Sequence, residues 1–489
     1  MPFTCGELRC QAVVADAFLT QPCSVAWSGA RWHKHSKPHQ AATKGTSFMR
    51  SARLAGLLAA VVACAPGALA QTPNWVTSWT GSAQGPYPIG NASAQPNLSF
   101  AFPNAAAGAR DQTFRLIVHP GLWGRSARLR LSNAYGTQPV TFDHVFAGEQ
   151  AIAGTLVKGS NAPVAFGGQT NVTVQPGRSV WSDPVSLPFI HDPAEPSMTG
   201  RKLAISFHVA GQSGPMTWHA KGITTSYVTA PGAGAAAAAD DGDDAFPFAT
   251  ASWYFLDAVD MDAPAGTKLA VAFGDSITDG TASTLNGDDR WPDVLARRLQ
   301  AQYGSRVVVV NQGIGGNRII GPASYTPEKP FAGGPSAQQR LERDILQLSG
   351  VSSVIWMEGT NDFGKGGEGA TPEQVEAGVK DVVERLRARL PGVKIIGATL
   401  TPNLHSTNAE HGSDEENTKV LAYNDFLRTT KLFDAVVDFN KVTVDPASGE
   451  MRSEFVPDNT IGGPGDKLHP NRAGYRAMAN SIDLGLLAP

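Results

Sequence analysis

Cysteine is scarce in this chain and missing from most of it. All four cysteines (Cys5, Cys10, Cys23 and Cys64) fall within the first 64 of 489 residues. Everything after them must hold together without disulfides, and it offers neither a thiol nucleophile nor a thiolate zinc site. No run is apolar for long enough to span a bilayer. No G-x-S-x-G elbow occurs, which argues against an α/β-hydrolase, and without an H-E-x-x-H motif zinc-assisted hydrolysis has no support. Neither charge sign dominates, with 40 Lys/Arg against 43 Asp/Glu.

The front of the chain has its own character. Arg50 and Arg53 precede an apolar run from Leu54 to Cys64, and Ala68-Leu69-Ala70 stands before Gln71. A basic start, a short apolar stretch and an A-x-A-like site read as a secretory signal over residues 49–70, cleaved after Ala70. Residues 1–48 then read as a leader or mis-assigned start without a fold. Val61-Val62-Ala63-Cys64 resembles a lipobox, so a lipoprotein anchored at Cys64 is the alternative. Cleavage after Ala70 removes seven of the 40 Lys/Arg and two of the 43 Asp/Glu, leaving 419 residues with a net charge of −8. That length supports two domains. The negative balance argues against nucleic acid or anionic lipid as partners. An exported protein, periplasmic or extracellular, with no transmembrane segment is the expectation.

The period of apolar residues changes once along the chain. Up to about Met261 it is two: Ala127 to Leu131 and Lys202 to Val209 alternate, separated by turn sequences such as Asn133-Ala134-Tyr135-Gly136. Residues 71–264 are therefore expected to form an antiparallel β-sandwich domain, with the Gly/Ala-rich and then acidic segment 230–246 as a mobile loop. From residue 265 to 489, apolar runs alternate with helical stretches. The runs are Leu269–Phe273, Val307–Val310, Val354–Met357, Ile395–Thr399 and Ala435–Phe439. Between them, Thr371 and Gln374 form a capping box ahead of Val375, Val379, Val382, Leu386 and Leu390 on one face. A second helix carries Trp291, Leu295 and Leu299 and ends at Gly304. This pattern predicts an α/β fold with a five-stranded parallel sheet covered on both faces, which binds ligands beyond the carboxyl ends of its strands.

Four short blocks fall at those ends: Gly274-Asp275-Ser276, Asn311 to Asn317, Gly359-Thr360-Asn361-Asp362 and Asp466-Lys467-Leu468-His469. A serine hydroxyl is a poor nucleophile until a base takes its proton, and a histidine titrates where that work is done. Asp466, three residues before His469, can reach the second imidazole nitrogen across one turn. Charge developing on a carbonyl oxygen needs aimed donors, and the backbone N–H groups of Ser276 and Gly316 with the amide of Asn361 supply three. Taken singly, each block has a structural reading as a turn or cap. Asp275 and Asp362 are expected to bond backbone groups in their own loops. Asp279 is a weak rival to Asp466, and Arg318 is a candidate for substrate contact or a surface ion pair.

Together the blocks resemble the SGNH (GDSL-type) hydrolase family over roughly residues 268–489, with Ile277 where the family often has Leu. More loosely, the chain is similar to secreted bacterial members with a β-rich domain before the catalytic one. The resemblance implies a flavodoxin-like three-layer sandwich, with Ser276, Asp466 and His469 as catalytic residues and Ser276, Gly316 and Asn361 as the oxyanion hole. It implies an esterase, lipase, thioesterase or carbohydrate deacetylase that uses no cofactor and no metal.

The expected reaction is hydrolysis of short-chain acyl or acetyl esters, including O-acetylated carbohydrate, through an acyl-enzyme. A lipase or thioesterase on longer chains is one alternative. A carbohydrate-binding protein is another, with Trp123 and Trp218 either stacked on sugars or buried in the core. Gly364 to Gly369 fits a dinucleotide-loop pattern but lies too far from its strand, and reads better as a rim loop beside Asn361. The acidic stretch Glu410 to Glu416 lacks calcium-loop spacing and reads as solvated.

Overall fold

Alternation builds the first half of the molecule, where residues 2 apart along a strand share a face. The computed structural model describes residues 72–489 apart from 93, 243, 368 and 457–464. The expected signal segment, its expected cleavage site and all four cysteines lie outside the described residues. In the strand Ser126–Ser132, Ala127, Leu129 and Leu131 are completely buried. That strand pairs antiparallel with Leu256–Asp262, which pairs in turn with Trp75–Thr80. A second antiparallel sheet centres on Leu203–Gln212, flanked by Arg110–Val118 and Val140–Ile152.

The rings of Phe114, Phe142, Phe207 and Phe255 meet in the core of this half, with centroids 5.2–6.3 Å apart. Burying each such side chain stabilises the fold by about 1.5–3 kcal/mol. Trp123 and Trp218 belong to this core as well, at 5% and 2% exposure. Their indole N–H groups donate to the carbonyls of Met198 and Ile89. They are not platforms for sugar stacking.

The second half is a parallel sheet of five strands, Lys268–Gly274, Val307–Gly313, Val351–Met357, Lys394–Ala398 and Ala435–Val437, in the spatial order second, first, third, fourth, fifth. Leu269, Val271 and Phe273 enter one apolar cluster while Ala270 and Ala272 enter another, so both faces are dry. The helices Pro372–Arg389 and Asp414–Thr429 supply Val379, Val382, Tyr423 and Leu427 to the first cluster. Trp291–Tyr303 and Arg472–Ser481 supply Trp291, Leu295, Tyr475 and Met478 to the second. Thr371 caps the first of these helices through the box with Gln374, and Gly304 ends the helix that starts at Trp291.

The β region packs along the edge of the parallel sheet. Thr80 Oγ1 donates to the carbonyl of Asn311 at 2.9 Å, and Thr77 N donates to Ser349 O at 3.0 Å. The first apolar cluster runs without a break from Phe114 in the β region to Trp356 in the parallel sheet. This contact brings side chains of the first half to the carboxyl ends of the parallel strands. Among the described residues, no helix is long and apolar enough to cross a membrane.

Candidate active site

Ser276 sits where the first parallel strand turns into a four-residue helix, Ser276–Asp279. Asp275 caps that helix, its Oδ1 accepting the N–H of Ile277 at 2.9 Å, and Gly280 ends it in the left-handed conformation. The serine is therefore held by its flanks and its side chain is free to point outward. Its Oγ lies 2.8 Å from His469 Nε2. On the other side of the ring, His469 Nδ1 lies 2.7 Å from Asp466 Oδ2. Asp466 Oδ1 accepts the backbone N–H groups of Leu468 and His469 at 3.0 and 2.9 Å. One carboxylate thus fixes both the turn and the ring it carries. The histidine stands in the turn before the last helix, which begins at Arg472 behind an Asn471 cap, so it precedes the helix instead of opening it.

Burial alone would raise the pKa of Asp466, but the hydrogen bond and charge of His469 and the two backbone N–H groups outweigh it, leaving the carboxyl well below the usual carboxylate range. Burial lowers the pKa of His469. The Asp466 carboxylate opposes this, while the charges of Lys221 and His411 add to it, and the net position is below 6.5.

Gly316 follows the second parallel strand with φ +79°, a left-handed backbone that suits glycine. Asn361, in the helix Thr360–Phe363 after the third strand, donates from Nδ2 to the carbonyl of Asn317 at 2.8 Å. An amide has two N–H bonds, so one remains for a ligand. Ser276, Gly316, Asn361 and His469 all line one cleft of about 380 Å³. Asp466 stands behind His469.

The remaining sequence candidates fall around this cleft. Asp362 accepts the N–H groups of Ile319 and Ile320, and burial still pushes its pKa up to about 6. Burial raises Asp275 to about 7. Asp279 is turned away from His469: its Oδ1 meets His219 Nε2 at 3.1 Å and its Oδ2 accepts the N–H of Gly315 at 2.9 Å. Arg318 lies on the cleft wall with its guanidinium 4.4 Å from the centre of the Phe331 ring. Gly364 and Gly366 form part of the rim. The acidic stretch is exposed at Glu410, Asp414 and Glu415 and buried at His411 and Glu416. Ser413 caps the helix Asp414–Thr429, and Glu416 is buried with its Oε1 2.5 Å from Nδ1 of His411, a cleft residue.

Three positions at or behind the cleft escaped the sequence reading. Arg340 is completely buried and donates to the carbonyls of Gly274 and Gln312 and to Asn317 Oδ1, tying the first two blocks together. Lys221 and Asn91, both from the β region, line the cleft. No local pattern marks any of them, because each acts only through contacts distant in sequence.

Elsewhere, Asp143, His144 and His208 bring ligand atoms within 4.8 Å of one another on the β region. His208 there already engages Asp143 and Asp111 through its two ring nitrogens. A further cavity of about 100 Å³ beside His119 and Asp288 reaches neither Ser276 nor His469.

The arrangement can take a proton from a hydroxyl and hold a developing oxyanion. Residues 272–477 match the GDSL-like lipase/acylhydrolase family. No curated protein matches the chain. Among solved structures, a GDSL-like lipase from Bacteroides thetaiotaomicron VPI-5482 aligns at 16% identity over 46% of this chain and 90% of its own, with a TM-score of 0.33. A carbohydrate acetylesterase family member from Sinorhizobium meliloti aligns at 19% identity over 45% and 99%, with a TM-score of 0.33. An acetyl xylan esterase aligns at 20% identity over 44% and 96%, with a TM-score of 0.31. Residues 272–477 thus form a GDSL-like lipase/acylhydrolase domain, and the protein is a carboxylic ester hydrolase.

Proposed function

We propose that the protein hydrolyses short-chain acyl or acetyl esters, O-acetylated carbohydrate among them, through an acyl-enzyme on Ser276. His469 takes the Ser276 proton as Oγ attacks the ester carbonyl, while Asp466 holds the imidazole in the tautomer that accepts it. The oxyanion rests against the N–H groups of Ser276 and Gly316 and the free amide N–H of Asn361. His469 then returns the proton to the leaving alkoxide, and water repeats the cycle to release the acid. The observation that carries this reading is the 2.8 Å approach of Ser276 Oγ to His469 Nε2, with Asp466 behind the ring.

A short acyl group is supported by the cleft wall, where among the described residues Phe331, Ala332 and Leu468 are the apolar side chains between polar and glycine neighbours. A long alkyl chain would need a continuous apolar channel. The fold reading extends to a flavodoxin-like three-layer sandwich over 265–489 and an antiparallel β-sandwich over 71–264. The strand order and the two dry faces of the sheet support the first, and the facing antiparallel sheets support the second. Export rests on the basic-then-apolar segment 49–70.

The test is a series of p-nitrophenyl acetate, butyrate and palmitate. Acetate or butyrate is expected to exceed palmitate in kcat/KM by at least roughly tenfold. A preference for palmitate would move the reading to a lipase. A pH profile tests the base. His469 must be neutral to accept the proton, and burial lowers its pKa, so kcat/KM will fall on the acid side with a midpoint below 6.5. A midpoint above 6.5 would contradict the lowered pKa, and the absence of any acid limb would contradict His469 as that base.

A further inference from the structure

The cleft has a wall that the four blocks do not provide. Lys221 follows the short strand Thr217–His219 of the β region and is 4% exposed, yet it lines the same cleft as Ser276. Its ammonium donates to Thr281 Oγ1 at 2.6 Å. Thr281 in turn donates its backbone N–H to the carbonyl of Ser276 at 2.9 Å. On the opposite side, a Cβ built on Gly315 would come within 2.9 Å of Lys221 Nζ, so the ammonium lies directly against the turn that carries Gly316. Lys221 therefore touches both loops that would surround a reacting carbonyl.

An ammonium has three N–H donors. Among the described residues, Thr281 takes one of them, no other acceptor takes the remaining two, and no carboxylate forms an ion pair with Lys221. Burying a charged group with donors unmatched is costly unless a partner arrives. The other charged groups on the wall are already engaged. Arg318 lies over the Phe331 ring with the Glu410 carboxylate nearby, since a Cβ on Gly366 would meet the guanidinium at 2.6 Å and the carboxylate at 3.3 Å. His411 is held by Glu416. Lys221 is left as the cation with capacity to spare.

Resting on the reading of Ser276 as nucleophile, we propose that Lys221 forms an anion subsite. The preferred ester then carries a carboxylate close to the scissile bond, as an O-acylated uronic acid residue of an acidic glycan does. The β region would thereby complete the active site and select the substrate. Its contribution continues through His219, which holds Asp279, which holds the N–H of Gly315.

The experiment uses the full chain and compares kcat/KM for 3- and 4-acetoxybenzoate with the values for their methyl esters. Intrinsic reactivity cancels when the anion-to-ester ratio is compared between wild type and Lys221→Met. The ratio is expected to fall at least roughly tenfold for one isomer, the size of a charge-assisted hydrogen bond, with Lys221→Arg retaining part of the preference. A fall in both esters with the ratio unchanged would make Lys221 a structural tie or an oxyanion donor and overturn the proposal.

Calorimetric binding of 3- and 4-hydroxybenzoate gives a readout independent of turnover. Weaker binding to Lys221→Met than to wild type supports the subsite even if no ester is cleaved, in which case the esterase reading alone fails. Equal binding, or none to either, overturns the subsite. Circular dichroism verifies folding, and Lys221→Gln serves if the Met variant does not fold.

Discussion

Replacing Ser276 by alanine will lower kcat/KM for p-nitrophenyl acetate on the order of 10⁴- to 10⁶-fold. The change removes one oxygen from a side chain whose surroundings do not depend on it. The helix start is capped by Asp275 through the N–H of Ile277, and the backbone N–H of residue 276 remains in place. Alanine is well tolerated in a helix. Thermal unfolding is therefore expected to stay close to that of the wild type, and the loss is read as chemistry and not as folding. Some residual catalysis is expected to survive if, as proposed, Gly316, Asn361 and the backbone N–H hold the carbonyl oxygen. The same variant with its melting curve separates the alternatives sharply. Activity within tenfold of wild type, with folding intact, would place the nucleophile elsewhere.

How much of this was legible in the sequence depends on how local the contacts are. The pair Asp466 and His469 spans three residues, so its geometry follows from one turn and can be read directly. The capping box at Thr371 is equally local. The meeting of Ser276, Gly316 and Asn361 at one cleft was legible because each follows an apolar run, and a parallel sheet gathers the ends of such runs on one edge.

Lys221 was not legible. It sits in Ala220-Lys221-Gly222 with nothing around it to suggest a site, and a lysine is among the residues least expected inside a protein. Packing of the β region on the other half brings it to the cleft, through the strand Trp75–Thr80 against Val307–Gly313 and through bonds such as Tyr325 Oη to the carbonyl of Gln84. Arg340 is hidden for the same reason, as its acceptors Gly274 and Gln312 lie 66 and 28 residues away. Trp123 and Trp218 illustrate a different limit. Trp123 lies outside the strands and Trp218 in a three-residue strand that is buried throughout, so alternation could not say whether either ring meets water. The acidic stretch is solvated at Glu410, Asp414 and Glu415, but composition read without partners gave no sign that Glu416 reaches back to His411.

Asp466→Asn is expected to reduce kcat roughly 10⁴-fold with KM nearly unchanged. The reasoning turns on which atoms can donate. Asp466 Oδ1 accepts two backbone N–H groups and Oδ2 faces His469 Nδ1. An asparagine that keeps its oxygen on the backbone pair must turn its NH₂ toward the ring. Nδ1 is then obliged to accept, and the proton moves to Nε2, the atom that faces Ser276 Oγ. A histidine protonated there cannot take the serine proton. Ground-state binding of the ester does not involve this bond, so the loss appears in kcat.

The variant also has a signature in stability. The pKa of Asp466 is depressed in the folded protein, so its carboxylate contributes stability above the unfolded value near 3.8 and loses it as pH falls through the folded one. Denaturant unfolding at pH 7 should therefore show Asp466→Asn less stable than wild type, with the gap closing as the pH is brought down below 3.8. Asp279 offers the decisive contrast, since it faces His219 and the N–H of Gly315. If Asp466→Asn kept activity within tenfold of wild type while Asp279→Asn abolished it, the third member of the triad would be Asp279, and the turn that carries His469 would owe its geometry to capping alone.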